Sequence, residues 1–267
     1  MDTYRVTIRA IAGDIPFRLD RLTPRPLIRG PQTAQVVGKS GEEIDPDQYG
    51  RVKVKFHWDR SDTEDDQRTC WIRVAQASAG AGWGSMFIPR IGQEVVVEFL
   101  EGNPDRPLIT GVVYNANMTV PYTLPDNKTR STIKTNSSKG GGGFNELRFE
   151  DKAGSEEVFF QAQKDYTKIV LNNETVTIHK DTTTTVETGD RKVTVSQGGD
   201  TLTVSTGDHT ITISAGKSSV TAAQSITLSV GANSVKIDTS GVTINGTQVQ
   251  LQSTASMSLT APTIALN

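Results

Sequence analysis

The chain has 267 residues, enough for one large or two ordinary domains, with 35% hydrophobic residues and 24 glycines. A formal net charge of -2, with Lys and Arg scattered among acids, supplies no basic field for phosphates, so nucleic acid is not an expected partner. No apolar run approaches the roughly 18 residues of a membrane helix, and Asp2, Arg5 and Arg9 stand where a secretory signal needs its apolar core.

Two kinds of structure share the chain. All sixteen aromatic residues lie at or before Tyr166, whereas the 101 residues from Thr167 onward hold none, and a third of them are Ser or Thr. The first thirty residues carry one alternating segment, Tyr4 to Ile11, followed by Pro24, Pro26 and Pro31, which forbid helix and central strand alike. Residues 1–30 therefore read as the tail of something larger. Residues 31–115 predict a small all-β domain of five strands: AQVVGK, RVKVKFHW, TCWIRVAQA, EVVVEFL and PLITGVVY. In RVKVKF, Val52, Val54 and Phe56 fall on one face and Arg51, Lys53 and Lys55 on the other. Five strands in so short a span suggest a barrel of the OB type, although strand count alone also fits a small sandwich. Cys70, the single cysteine, lies in an alternating run and is expected to be a buried small hydrophobe in a chain that folds in a reducing cytosol. Trp58, Trp71 and Trp83 are expected in the barrel core or in contacts between copies.

Residues 116–165 read as a connector. Gly140 to Gly143 are expected to be flexible or tightly turned, and NELRFED with EEVFFQAQ predicts a hairpin across Lys152 to Ser155.

Residues 166–267 are a repeat. Gly189, Gly198, Gly207 and Gly216 are spaced by nine, and alternating apolar pairs follow them: Val193 and Val195, Leu202 and Val204, Ile211 and Ile213. The pairs continue as Ile226 and Leu228, Val235 and Ile237, Val242 and Ile244, Val249 and Leu251, Met257 and Leu259. Each strand buries two aliphatic side chains at about 1.5 to 3 kcal/mol apiece, against eight or nine residues that cost about 1 to 2 kcal/mol each in backbone entropy. One copy does not balance that. The arithmetic favours several chains sharing a narrow core, each strand passing to the next face of a three-sided prism, with the apolar pairs inside and Ser and Thr outside. A dozen strands stacked in this way span on the order of 60 Å.

The strings TPRPLIRGPQTAQVVGKSGEEI, YGRVKVKFHWDR, CWIRVAQASAGAGWGSMFIPRIGQEVVVEFLEGNPDRPLITGVVYN and SSKGGGGFNELRFEDKAGSE run nearly continuously from Thr23 to Asp165. Over them the sequence resembles VgrG, the spike of bacterial type VI secretion systems, itself similar to the central spike of contractile phage tails. The resemblance implies a hub, an OB domain and an intertwined trimeric β-helix needle, assembled in the cytoplasm and exported by the type VI apparatus to the extracellular space or a target cell. It also implies as partners two further copies, a PAAR-repeat tip protein, the Hcp tube and baseplate through the hub, effector proteins and, transiently, a target membrane. Only about thirty residues precede the OB segment, so the hub through which Hcp would attach is expected to be mostly missing from this chain. No appended effector enzyme is expected either. The end of the repeat, Thr260, Ala261, Pro262, Thr263, Ile264, Ala265, Leu266 and Asn267, is the expected docking surface for the tip.

Sites with other chemistry are weak. Val36 to Ser40 lacks the upstream glycine of a phosphate-binding loop, since Thr33 stands there. Gly-Asp pairs at 189/190, 199/200 and 207/208 do not repeat the double glycine of calcium-binding nonapeptides, and are expected to be solvated turns. His57 has no readable nucleophile partner. His179 and His209 read as solvated, although three copies of either could ring an axis around a metal. No catalytic, cofactor or metal residue is expected, and the predicted function is that of a mechanical, cell-puncturing spike. The rivals are a polysaccharide-cutting tailspike, which needs paired carboxylates in a groove, and a fibrous adhesin, which needs a secretion signal and a head domain.

Overall fold

The computed structural model describes residues 2–62 and 64–264, in two compact units, Met1–Val176 and Thr177–Asn267. Regular structure in the described residues is β-strand apart from two single 3-10 turns.

All five strands expected between Thr33 and Asn115 form: β1 (Gln32–Val37), β2 (Lys53–Phe56), β3 (Arg73–Val74), β4 (Glu94–Phe99) and β5 (Pro107–Val113). They make one sheet in the order β2-β1-β4-β5-β3, antiparallel except for the parallel β3–β5 pair. The two edges of that sheet meet: Val52, just before β2, and Ile72, just before β3, exchange both backbone hydrogen bonds at 3.0 and 2.8 Å. This closes the five strands into a barrel, and the register shift between Val96 and Val97 opposite β5 adds the local bend that closure needs. The barrel reading, rather than the sandwich, is the one observed.

The alternation read in RVKVKF holds, with Val52 and Val54 buried and the lysines facing out. The core is Ala34, Val36, Val52, Val54, Ile72, Val95, Val97 and Ile109, with Phe56, Val74, Ile88 and Phe99 packed at its margins. Small aliphatic side chains fill it completely, so the tryptophans lie outside, contrary to the core alternative. Trp58 stacks on Phe56 at 4.4 Å between centroids, Trp71 lies beneath the Lys53 ammonium, and Trp83 is 70% exposed. Cys70 is also exposed. Pairing starts only at Ile72, so the inward alternation does not extend back to Cys70. Tyr4 to Ile11, alternating but with no strand to pair with, forms no strand, and Tyr4 and Ile8 are exposed.

The predicted hairpin is present as β7 (Glu146–Glu150) and β8 (Glu157–Gln161), joined by a turn in which the Ser155 amide donates to the Lys152 carbonyl. A third strand, β6 (Arg130–Lys134), pairs on the other side of β7. Its sequence, RSTIK, is too short and polar to register as a strand alone.

The tetraglycine does not hang free. The Gly140 amide donates to Glu43 at 2.8 Å, Lys139 pairs with Glu42 at 2.7 Å, and Arg90 donates to the Asn136 carbonyl at 2.7 Å, so the connector is pinned to the barrel. At Gly143 a Cβ would fall 2.3 Å from the end of the Gln163 side chain, so a larger residue there would have to displace that amide. Ser138 and Gly140 hydrogen bonds, followed by Arg90 and Lys139 charge, hold the Glu43 carboxyl below its ordinary value.

Candidate functional site

The second unit has strands at β9 (Ser225–Val230), β10 (Asn233–Asp238) and β11 (Gly241–Asn245), paired in sequence order as an antiparallel meander. Val235 lies opposite both Leu228 and Ile244, and Ile237 lies opposite both Ile226 and Val242. Six of the residues predicted to face a shared core thus form two cross-strand rows on a single face. Thr227, Ser229, Lys236, Asp238 and Thr243 take the other face by parity. There Lys236 pairs with Asp238 at 2.8 Å, and the Ser240 amide and hydroxyl donate to the same carboxylate. These contacts, Lys236 first, hold Asp238 far below the usual carboxylate range. In this stretch consecutive strands of one chain are neighbours in one sheet, within an all-β fold consistent with an OB barrel followed by a β-helix.

Upstream, the nine-residue period is visible in three dimensions without strand pairing. Gly189, Gly198, Gly207 and Gly216 all have φ between 94° and 122°, the region that favours glycine at a turn, and the first three stand in open space. Val193, Leu202 and Ile211 are 60, 69 and 73% exposed, and their partners Val195, Val204 and Ile213 are 48, 44 and 47% exposed, the same alternation at each repeat. Downstream, Val249, Leu251, Met257, Leu259 and Ile264 are likewise half exposed or more. Among the described residues beyond Glu146, none is buried. The chain exposes 24041 Å², about twice the roughly 11,000 Å² of a closed monomer of 28.9 kDa. An apolar face repeated in this way and left open calls for a partner with the same period.

The other sequence candidates do not assemble into sites. The backbone amide of Lys39 donates to Asp45 at 3.0 Å, so the turn after β1 is capped by an acid. His57 Nε2 lies 3.0 Å from the Thr33 hydroxyl and 4.0 Å from Glu94, so the hydroxyl and the carboxylate crowd one ring nitrogen instead of dividing between two. His179, His209, Asp190, Asp200 and Asp208 are exposed, and no three potential ligands cluster among the described residues. Of the expected tip surface, Thr260 to Ile264 are exposed, and Ala265, Leu266 and Asn267 lie outside the described residues.

A cluster that sequence reasoning missed sits in the three-stranded sheet. Glu146 is 3% exposed and accepts hydrogen bonds from the Tyr122 hydroxyl and, at 2.8 Å, from Thr132. The Tyr122 oxygen in turn accepts from Arg148 at 3.1 Å, and Arg148 reaches Glu157 at 2.7 Å. Burial pushes the Glu146 carboxyl up, but the Tyr122 and Thr132 hydroxyls with the Lys134 and Arg148 charges leave it below its ordinary value. The alternation of ELRFE shows that Glu146 and Arg148 share a face, but nothing local places Tyr122 over them.

A closed OB barrel followed by a glycine-punctuated repeat with an unpartnered apolar face is the layout of an injection-machine spike. Residues 35–114 match the type VI secretion system/phage-baseplate injector OB domain, and residues 131–244 match the bacteriophage T4 gp5 C-terminal trimerisation domain. The chain is 60% identical over 167 residues to the type VI secretion system spike protein VgrG1b of Pseudomonas aeruginosa, covering 62% of this chain and 22% of that protein. It is 59% identical over 164 residues to VgrG1a of the same organism, covering 61% and 26%, and 45% identical over 190 residues to the actin cross-linking toxin VgrG1 of Vibrio cholerae, covering 71% and 17%. Through its OB and trimerisation domains the chain belongs with the VgrG type VI secretion spike proteins. It spans about a quarter or less of the length of these relatives.

Proposed function

We propose that this chain is the OB and needle portion of a homotrimeric, cell-puncturing spike, in which rigidity is the working property and no residue is catalytic. The observation that carries the reading is the repeat with nothing buried: its apolar rows gain a core only when copies supply the other walls. In the trimer Val193, Val195, Leu202, Val204, Ile211 and Ile213 line the axis, and downstream the apolar faces of three β9–β10–β11 meanders close a triangular prism. The boundaries we assign are a hub remnant over 1–30, the barrel over 31–115, the connector over 116–165 and the needle over 166–267. A PAAR-repeat protein docks on the end formed by residues 260–267, the hub supplies contact with the Hcp tube and baseplate, and the assembly carries effectors out of the cytoplasm through a target envelope. The actin cross-linking named for the Vibrio cholerae relative is not proposed for these residues.

Light scattering on the purified chain is expected to give three times 28.9 kDa, and a monomer at micromolar concentration overturns the shared core. Removal of residues 260–267 is expected to abolish binding of a PAAR-repeat protein and leave the trimer intact. Unchanged binding refutes the docking assignment.

A further inference from the structure

The repeat changes its rhythm partway along. Its apolar pairs begin at Val193, Leu202, Ile211 and Val220, each nine residues after the last, and then at Ile226, Val235, Val242 and Val249, at steps of six, nine, seven and seven. Over the regular stretch a copy displaced by nine residues loses nothing. Gly198 falls level with Gly189, Leu202 and Val204 with Val193 and Val195, and Thr203 with Thr194, so every apolar row and every turn is kept. The turn glycines share one conformation and the pairs one exposure pattern, so the backbone does not tell the repeats apart either. A pattern that returns unchanged leaves register weakly specified.

Downstream the same displacement is costly. Ile226 and Leu228 of the displaced copy come level with Lys217 and Ser219, and Val242 with Asn233, so polar side chains enter rows that aliphatic ones otherwise close. This is also the stretch that pairs within the chain. β9, β10 and β11 are matched residue by residue from Ser225 to Asn245 through tight turns, so each copy forms its face from local contacts before it meets another. The match to a trimerisation domain runs to residue 244, the last apolar residue of β11. We propose that the β9–β10–β11 meander sets the register in which copies of this chain assemble, and that the regular stretch before it follows the register so fixed. The partner is the same face of a second copy, with Val235 and Ile237 at the centre of its two rows. This rests on the trimeric reading above, and the test separates the two.

The test uses full-length chains with Cys70→Ser, co-expressed in two differently tagged forms, one with Val195→Cys and one with Ile213→Cys. These are equivalent sites two repeats apart. Stacked strands lie about 5 Å apart, so in register the two thiols are about 10 Å apart along the shaft, beyond the reach of a disulfide, and displaced copies bring them within it. After oxidation with copper phenanthroline, the native meander is expected to give disulfides between like chains and mixed disulfides below about a tenth of that level. The perturbed chains carry three extra residues after Ala223 and two after Thr239, which continue the nine-residue spacing through β11 and keep every apolar side chain. In these chains, confirmed as trimers by light scattering, mixed disulfides are expected to rise at least about tenfold. A control repeats residues 208–216 after Gly216, which lengthens the regular stretch but keeps the six-residue step, and its mixed disulfides should stay low. Mixed disulfides that stay low in the perturbed trimer, or that are abundant in the native or control chain, overturn the meander as the register element and leave the trimer standing. If the double insertion does not trimerise, the three-residue insertion alone, which leaves the turns of the meander native, is read in its place. Loss of the trimer in both overturns a role in register. A monomer of the native chain overturns the trimeric reading itself.

Discussion

The barrel and the repeat use the same alternation of apolar and polar residues to opposite ends. In the barrel, β1, β2, β4 and β5 curl until their apolar faces meet, and eight aliphatic side chains are sealed within one chain. In the repeat the apolar rows of β9, β10 and β11 are as regular, yet Leu228 and Val242 remain 68 and 65% exposed. Connection length accounts for the difference. The barrel strands are joined by loops long enough to bring β4 beside β1 and β3 beside β5, whereas turns of two residues force β9, β10 and β11 into a flat meander with no second layer. One region completes its core by topology, and the other must complete it by copy number.

Aromatic placement makes this comparison easy to break. All three tryptophans lie in the barrel region, so tryptophan fluorescence reports that region alone while light scattering reports assembly. The largest effect is expected from Ile237→Asp, which places three carboxylates in the shared core: the trimer should be lost, with tryptophan emission unchanged. Loss of both signals would mean that the barrel depends on the repeat. Ile109→Ala, at a fully buried position, should cost about 3 kcal/mol of barrel stability in a denaturant titration followed by fluorescence and leave the trimer in place. Tyr122→Phe removes the hydroxyl that serves Glu146 and Arg148 and should destabilise the three-stranded sheet by about 2 kcal/mol, read by hydrogen exchange at β7.

The smallest effect is expected from acid. Glu43 and Glu146 have carboxyls held below their ordinary values, so their contribution is fully present above the unfolded pKa and disappears as pH falls through the lower folded values. Below about pH 4 the connector should therefore loosen from the barrel. The protection of the Gly140 amide relative to its intrinsic exchange rate should fall there, and Glu43→Gln should remove that pH dependence of protection.

Much of the fold was legible because alternation is a local signal. The five barrel strands, the hairpin across Lys152 to Ser155 and the nine-residue glycine period all follow from neighbours in sequence. Other features depended on partners distant in the chain. β6 is a strand because β7 is beside it, and Tyr4 to Ile11 alternates as well as any strand yet has no neighbour. Cys70 is exposed because edge pairing starts two residues later. The Tyr122, Glu146 and Arg148 cluster joins residues more than twenty apart, and no motif announces it.

By itself the sequence determined that two regions of different architecture share the chain, that each alternates as β-structure does, and that the second offers only two aliphatic side chains per repeat to bury. Those are properties of composition and period, which any window of the chain displays. Only the tertiary structure decided that the first region closes through the Val52 and Ile72 bridge, that its connector is tethered by Glu42, Glu43 and Arg90, and that residues 225–245 lie in one meander. Pairing between distant strands rests on loop paths and on which edges remain free, and a local pattern of side chains carries neither.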